Sequence, residues 1–212
     1  MKIKWLGHSC FLITSQSGVR ILTDPFDESV GYPLPEVEAD IVTVSHGHFD
    51  HNYTQAVKGN FSLVDKVGEH FINGVNIKGV FTYHDKNQGK DRGSNIVFNI
   101  TVDGINICHC GDLGHILTQQ HADEIGRVDV LMLPVGGVFT VDAEEAYEVV
   151  KVLKPAVTIP MHFKTDALTF SVDGVNKFLA LAGGGEMAAK QEIEVTAENL
   201  KTLSNVIVLN YK

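Results

Sequence analysis

Cysteine is scarce in this sequence. The 212 residues include three cysteines, Cys10, Cys108 and Cys110. An odd number without a Cys-x-x-Cys pair argues against a disulfide framework and indicates a reducing compartment. We therefore expect a cytoplasmic protein. The length suffices for one sizeable hydrophobic core, and we expect residues 1–212 to form a single domain.

Long apolar stretches are also missing. No segment approaches the ~18 consecutive apolar residues that a membrane span requires. The N-terminus, Met1–His8, lacks the apolar region of a signal peptide. We expect a full-length chain with no membrane partner, and the sequence leaves open whether it forms a homo-oligomer.

Positive charge is limited. The chain has 17 Lys and Arg against 26 Asp and Glu, and its formal net charge is −9. Nucleic acids and anionic membranes are bound by clustered Lys and Arg, so the charge argues against both as partners. A small anionic substrate remains compatible, because a bound metal ion changes the sign of the local charge.

Histidine, in contrast, is concentrated in one short stretch. Ser45–Asn52 reads Ser-His-Gly-His-Phe-Asp-His-Asn. It follows the β-rich segment Ala39–Val44 and precedes Tyr53–Lys58, for which we predict a helix. The stretch is therefore expected in a turn at the end of a strand. Imidazole and carboxylate in this arrangement are typical ligands of zinc and its neighbours in the periodic table.

The spacing within this stretch predicts two groups of ligands. Alternate residues of an extended chain lie on one side, so His46 and His48 can bind one ion together. Asp50 and His51 are adjacent, lie where the chain begins to coil, and are free to serve a second ion.

Further candidate ligands occur where predicted strands end. They are Asp24 after Val19–Thr23, His84 after Val75–Tyr83, Asp112 after Ile105–Cys110, and His162 after Ala156–Ile159. Loops at the ends of strands are the usual place for functional side chains on a rigid scaffold. The chain thus offers His46, His48, His84 and Asp112 to one ion. It offers Asp50, His51, Asp112 and His162 to the other.

The order of these motifs resembles a known family. His-x-His-x-Asp-His after a buried strand, followed by a single His, a Gly-Asp and a late His, is similar to the signature of the metallo-β-lactamase fold superfamily. Five segments further resemble L-ascorbate-6-phosphate lactonase and similar small metal-dependent hydrolases: Leu6–Ile13, Asp24–Phe26, His109–Asp112, Pro134–Thr140 and Ile159–Phe163. Leu113 and Lys164 depart from that group, so the resemblance does not extend to the substrate.

The resemblance implies a fold and the same ligand assignment. The implied fold is α+β, a four-layer αββα sandwich of two mixed β-sheets packed face to face with helices outside. Helices are predicted over Leu117–Ile125, Ala143–Leu153 and Val172–Leu181. Asp112 is the implied bridge between the two ions.

Five further residues are candidates for supporting roles. Asp24 is expected to hold a ligand or the motif loop by a hydrogen bond. His8 is equally compatible with a structural hydrogen bond and with a substrate contact, and His109 is expected close to the ligands. Lys164 and Arg92 are cations near ligand positions that could meet an anionic substrate.

These residues predict a hydrolase. Two ions would acidify a shared water, and Asp50 and Asp112 are the predicted catalytic residues. The substrate would be an ester, lactone or phosphoester of a small, anionic molecule. The absence of Gly-x-Ser-x-Gly excludes an α/β-hydrolase. Histidine-rich ligation favours zinc, and the resemblance leaves manganese open.

Two alternatives remain. One is a non-catalytic metal-binding or regulatory protein that retains the site, which only a turnover measurement can exclude. The other is a nuclease-type phosphodiesterase similar to ribonuclease Z, against which the acidic charge argues.

Overall fold

The computed structural model describes all 212 residues, which form two six-stranded mixed sheets. The N-terminal sheet contains β1 (Lys2–Gly7), β2 (Cys10–Thr14), β3 (Arg20–Thr23), β4 (Ile41–Thr43), β5 (Ser62–Val64) and β13 (Glu192–Glu194). Its strand order is β13-β1-β2-β3-β4-β5. Strands β1 to β3 form an antiparallel meander, and β3, β4 and β5 run parallel.

The C-terminal sheet is built from the middle of the chain. It contains β6 (Gly68–Ile72), β7 (Val75–Tyr83), β8 (Ser94–Val102), β9 (Ile105–His109), β10 (Val130–Pro134) and β11 (Val157–Met161). Strands β6 to β9 are antiparallel, and β9, β10 and β11 are parallel. A short parallel pair, β12 (Glu186–Met187) and β14 (Ile207–Val208), lies beside β11, to which a single bridge between Thr158 and Val206 joins it.

Alternation along the strands packs the two sheets together. In β3, Ile21 belongs to the large core between the sheets, whereas its neighbour Leu22 belongs to a smaller cluster. Ile41 and Val42 in β4 divide in the same way. Because successive side chains point to opposite faces of a strand, the large core lies between the sheets. The smaller cluster covers the outer face of the N-terminal sheet.

Three α-helices cover the C-terminal sheet: α1 (Gln119–Ile125), α2 (Ala143–Leu153) and α3 (Asn176–Leu181). Contacts join α1 to β7 and β8, and α2 to β10 and α3. The other outer layer consists of loops, from which Phe26, Tyr32 and Leu168 pack onto the N-terminal sheet. The predicted α+β fold with two mixed sheets face to face is confirmed. No helix is both long and apolar enough to span a membrane.

The helix predicted over Tyr53–Lys58 is wrong. Only Thr54–Ala56 is helical, as a single 3₁₀ turn. Its flanking backbone groups bind the preceding loop instead of continuing a helix: Tyr53 N–H donates to Pro25 O, and Lys58 N–H donates to Val37 O (both 2.8 Å). Tertiary hydrogen bonds thus replace the i to i−4 bonds that an α-helix needs.

Strand β13 was not predicted. Glu192–Glu194 pairs antiparallel with β1, and the N-terminal amine of Met1 donates to Val195 O at 2.9 Å. The C-terminal segment therefore completes the edge of the first sheet. Three residues with two glutamates carry no strand signal of their own, so this pairing depends on a partner almost 200 residues away.

The N-terminus of α2 generates a stability prediction. Asp142 accepts a hydrogen bond from Glu145 N–H (3.0 Å), and the Glu145 carboxylate accepts one from Asp142 N–H (3.2 Å). We expect Asp142→Ala to lower the free energy of unfolding by about 1 kcal/mol, because it removes this capping box. Urea denaturation measures the change. Glu144→Gln, on the same turn and half-exposed, should change it by less than about 0.5 kcal/mol; equal effects would contradict the capping role.

Candidate metal centre

The predicted ligands meet at one edge of the two sheets. Their donor atoms form three overlapping groups within which every pair lies within 4.8 Å: His46, His48 and His84; His8, Asp50, His51 and His162; and His46, His51 and Asp112. The first group contains three of the four ligands predicted for one ion, and the second contains three of the four predicted for the other, together with His8. Asp112, predicted for both ions, is grouped with His46 and His51. The candidate ligands follow β4, β7, β9 and β11. Apart from those within Ser45–Asn52, they are far apart in sequence, and the fold brings them together.

Asp112 lies between the two groups. Its Oδ1 is 3.1 Å from His51 Nε2, and its Oδ2 is 3.3 Å from His84 Nε2. The same Oδ2 lies 3.5 Å from His162 Nε2 and 4.0 Å from His46 Nε2. One carboxylate therefore faces histidines of both groups, which is the arrangement that a bridging ligand requires.

The donor set fits divalent ions. The Nε2 atoms of His46, His51 and His162 and Oδ1 of Asp112 are buried and have no hydrogen-bond partner. Buried polar atoms rarely remain unpaired. Donors about 2.0–2.1 Å from one tetrahedral zinc ion are roughly 3.3 Å apart, close to the spacings around Asp112. The orphaned atoms are therefore arranged as ligands would be.

Burial sets the protonation of the histidines. It lowers the pKa of His46 to about 3 and that of His8 to about 4, so both imidazoles are neutral at pH 7. Burial opposes the charged form of His51 as well, but Asp112 and Asp24 outweigh it and raise its pKa. Burial would likewise raise the pKa of Asp112, yet His162 and His51 hold it well below its usual range. Asp112 is thus a carboxylate, the form that binds cations.

Asp24 holds the motif loop as predicted. Its Oδ1 accepts a hydrogen bond from Ser45 N–H (2.8 Å), and its Oδ2 accepts from Ser45 Oγ (2.6 Å) and His51 Nδ1 (2.8 Å). Ser45 Oγ in turn lies 3.0 Å from Nδ1 of His46. With both Nδ1 atoms engaged, Nε2 of His46 and of His51 is left for an ion. Nothing in the sequence marked Ser45 for this function.

His8 lies inside the second ligand group. Its Nε2 is 3.2 Å from Asp50 Oδ2, and its ring centroid is 4.2 Å from that of His162. Two hydrogen bonds fix its backbone carbonyl, from Trp5 Nε1 (3.0 Å) and His162 N–H (3.2 Å). The structure therefore favours a contact with the ligands themselves over a remote structural role.

His109 has a different environment. Its Nε2 donates to Ser9 O (2.8 Å), and its Nδ1 accepts from Gly111 N–H (3.3 Å). Both ring nitrogens are occupied, so His109 cannot bind an ion in this conformation. It fastens the turn that carries His8 to the loop that carries Asp112.

Asn95 is a buried residue that sequence reasoning missed. Its Oδ1 accepts a hydrogen bond from Asp112 N–H (3.0 Å), and its Nδ2 donates to Cys110 O and to Thr82 Oγ1 (both 2.9 Å). It thus joins the ends of three strands behind the carboxylate of Asp112. The one feature of the sequence that could have indicated this role is the presence of an asparagine within an otherwise apolar strand.

Two glycines allow the ligand loops to approach each other. A Cβ on Gly111 would lie 2.5 Å from Ser45 Cβ, and Gly111 has φ +54°. A Cβ on Gly136 would lie 2.1 Å from the carbonyl oxygen of His162. Only glycine fits at either position, so these loops can bring Asp112 and His162 to their observed places.

The two predicted cations differ. Arg92 lines a cavity of about 270 Å³ that opens onto His48, Asp50, His84 and Asp112. Lys164 does not line this cavity. Its amine donates to the carbonyl oxygens of Leu168 and Phe170, and it thereby holds the loop whose Phe170 forms part of the cavity wall. Lys164 is therefore not placed to contact a substrate in this cavity.

The hydrogen bond behind His51 generates a prediction. Asp24→Asn keeps the shape of the side chain but removes the charge that orients His51. We expect metal affinity to fall about 10- to 100-fold, measured by competition with a chromogenic chelator. Asp40→Asn, at a carboxylate that binds Arg20 away from the site, serves as the control and should leave the affinity unchanged. Equal affinity of Asp24→Asn and the unsubstituted protein would contradict the assignment.

Comparisons with known proteins agree with this geometry. A sequence model of the β-lactamase superfamily domain matches residues 2–162. A UPF0173 metal-dependent hydrolase of Thermoplasma acidophilum is 32% identical over 209 residues, 86% of this chain and 91% of that protein. Another from Pelotomaculum thermopropionicum is 34% identical over 198 residues, 78% of this chain and 85% of that protein.

A solved structure is similar over almost the whole chain. A protein of Thermotoga maritima, described as a candidate Zn-dependent hydrolase of the metallo-β-lactamase superfamily, is 43% identical with a TM-score of 0.83. The similarity covers 98% of this chain and 97% of that one. The predicted superfamily and the predicted class of metal-dependent hydrolase are confirmed, whereas the likeness to L-ascorbate-6-phosphate lactonase stays a prediction. The chain therefore belongs to the β-lactamase superfamily domain family and is a relative of the UPF0173 metal-dependent hydrolases.

Proposed function

We propose that this protein hydrolyses an ester, lactone or phosphoester bond in a small anionic molecule with the help of two divalent metal ions. The observation that carries this proposal is the position of Asp112. Its carboxylate faces histidines of both groups, among them His46, His51 and His162, whose Nε2 atoms lack hydrogen-bond partners, and Asp112 also lines an open cavity. A purely structural metal site is closed by its ligands, whereas a catalytic one keeps an open position.

The proposed ligands divide between two sites. His46, His48, His84 and Asp112 would hold one ion, and Asp50, His51, His162 and Asp112 would hold the other. Bound there, the ions would acidify a water molecule and polarise the bond to be broken. We propose zinc, because histidine dominates the donor set, and manganese is the alternative. Elemental analysis of protein purified without added metal distinguishes the two.

Asp50 and His8 are placed to handle a proton. Asp50 lines the cavity, and its Oδ2 lies 3.2 Å from Nε2 of His8. Burial would raise the pKa of Asp50, but the His8 hydrogen bond and His51 outweigh burial and lower it. Asp50 is therefore charged at neutral pH and can accept a hydrogen bond from water. With His8 donating to Oδ2, the other oxygen of Asp50 would remain for the second ion or for its water, and a proton that Asp50 took from that water could then pass to the leaving group.

A small molecule fits the cavity better than a polymer. Its volume of about 270 Å³ is slightly below the range of about 300–1,000 Å³ that is usual for ligand pockets. The net charge of −9 does not favour nucleic acid. The cytoplasm remains the proposed location, on the basis of the unpaired cysteines.

Removal of metal tests the proposed chemistry. Dialysis against a chelator should abolish hydrolysis of a panel of lactones, phosphodiesters, thioesters and 4-nitrophenyl esters, and added zinc or manganese should restore it. Recovery is measured as initial rate against the number of ions bound. Hydrolysis that persists after complete removal of metal would exclude the mechanism. A panel without turnover by fully loaded protein would favour the non-catalytic alternative.

A matched pair of substitutions tests the bridge. Asp112→Ala should lose metal and activity together, because it removes a ligand shared by both sites. Asp129→Ala is a suitable control, since Asp129 is also buried but binds Arg127 and Asn106 at the opposite end of β9 and β10. The control should lower thermal stability and leave the metal content unchanged. Normal metal content in folded Asp112→Ala would refute the bridging role.

A further inference from the structure

The cavity contains one cationic side chain, and its charge is unpaired. The guanidinium of Arg92 lies 4.7 Å from the ring centroid of Phe139. The arginine ion pairs in this chain are those of Arg20 and Arg127, so Arg92 has no carboxylate partner. Stacking on an aromatic face holds a guanidinium in place and leaves its N–H groups free. Arg92 is thus presented to the cavity without being neutralised.

The loop that carries Arg92 is tied to a candidate metal ligand. His84 N–H donates to Gly93 O, and Gly93 N–H donates to Gly89 O (both 3.0 Å), so the loop closes on His84. The Asp85 carboxylate fills the loop and accepts four backbone hydrogen bonds of 2.7–3.0 Å, from the N–H groups of Asn87, Gly89, Asp91 and Arg92.

The four hydrogen bonds to Asp85 keep this loop in place. Since Arg92 N–H is one of the donors, the backbone of Arg92 has a defined position relative to the metal centre.

Three phenylalanines from separate loops form the apolar side of the cavity. Phe170 lies 6.3 Å from Phe49 and 6.2 Å from Phe139 between ring centroids. Its edge also contacts the ring of His8, at 5.6 Å. Phe49 lies within the histidine-rich stretch Ser45–Asn52, and yet it is 52% exposed. Aromatic walls with a few convergent polar groups are typical of a ligand site, and the exposed ring of Phe49 has no core contact to explain it.

The local charge favours an anion. Two divalent ions with the carboxylates of Asp50 and Asp112 would leave a net positive charge, to which Arg92 adds. The rest of the protein is acidic. A cavity of one sign within a surface of the other concentrates ligands of complementary charge. The cation and the apolar wall lie on one side, where they meet at Phe139.

We propose that the substrate is a small amphipathic anion. Its carboxylate or phosphate pairs with Arg92, and its acyl or aryl portion packs between Phe49, Phe139 and Phe170. This places the scissile bond over the metal centre. The assignment of a substrate rests on the hydrolase function proposed above, whereas the binding preference does not depend on turnover.

Kinetics with matched esters test the role in catalysis. Metal-loaded protein is compared on 4-nitrophenyl butyrate and on mono-4-nitrophenyl succinate, which is similar in length but carries a carboxylate. Arg92→Gln should lower kcat/KM for the anionic ester about 10-fold or more, mainly through KM, and that for the neutral ester by less than about threefold. Lys90→Gln, an exposed cation of the same loop outside the cavity, should change neither. An equal loss on both esters would overturn the proposal.

Equilibrium binding separates this proposal from the hydrolase function. Calorimetry with metal-loaded protein compares phenylphosphonate with methylphosphonate. We expect phenylphosphonate to bind about 10-fold more tightly, and Phe49→Ala to reduce that preference. Arg92→Gln should weaken both ligands about 10-fold, with Lys90→Gln as the control. Equal affinities for the two phosphonates, or no effect of Arg92→Gln, would refute the proposal. If the phosphonates bind as expected but no ester is hydrolysed, the binding proposal stands and only the hydrolase function is refuted.

Discussion

The buried carboxylate of Asp112 is the constraint around which this structure is organised. It faces histidines from the loops after β4, β7 and β11, whose Nε2 atoms have few other partners. Each buried polar atom without a hydrogen bond costs about 1–3 kcal/mol. An ion at this position satisfies several such atoms at once. Metal binding and folding are therefore expected to be coupled, and the centre cannot be separated from the stability of the sheet edge that carries it.

The loops that carry the candidate ligands can pack this closely because particular residues behind them hold them in place. Asp24 orients His51 and Ser45, and Asn95 fixes the backbone at Asp112. Asp24 itself has φ +40°, and His162 has φ +50°. Non-glycine residues in the left-handed region are unfavourable by about 1–3 kcal/mol and persist where the surroundings demand it. At Asp24 and His162 this unfavourable conformation coincides with side chains that form or support the candidate metal centre.

Reaction and substrate depend on different parts of the molecule. The candidate metal ligands lie at the ends of strands of the two sheets, and the similarity to relatives extends over most of the chain. The cavity wall consists of loops, with Phe49, Phe139 and Phe170 each from a different one. Loops change without disturbing the sheets. For this reason family membership indicates a type of chemistry, while the substrate that we propose is inferred from loop residues such as Arg92.

Sequence alone was sufficient for the elements and ligands that depend on local pattern. Strand β7 and helix α2 were predicted at their observed bounds, because alternation, turn residues and an N-cap are encoded within a few positions. The candidate ligands from His46 to His162 were proposed from their spacing and their place after strands, and the structure brings their donor atoms together.

The tertiary structure decided what depends on direction and distant contacts. It distinguished His8, which meets Asp50, from His109, whose nitrogens are both occupied. It turned Lys164 away from the cavity, brought Ser45 and Asn95 behind the ligands, and paired β13 with β1. None of these follows from periodicity, because the partner of a side chain across the core has no fixed separation along the chain.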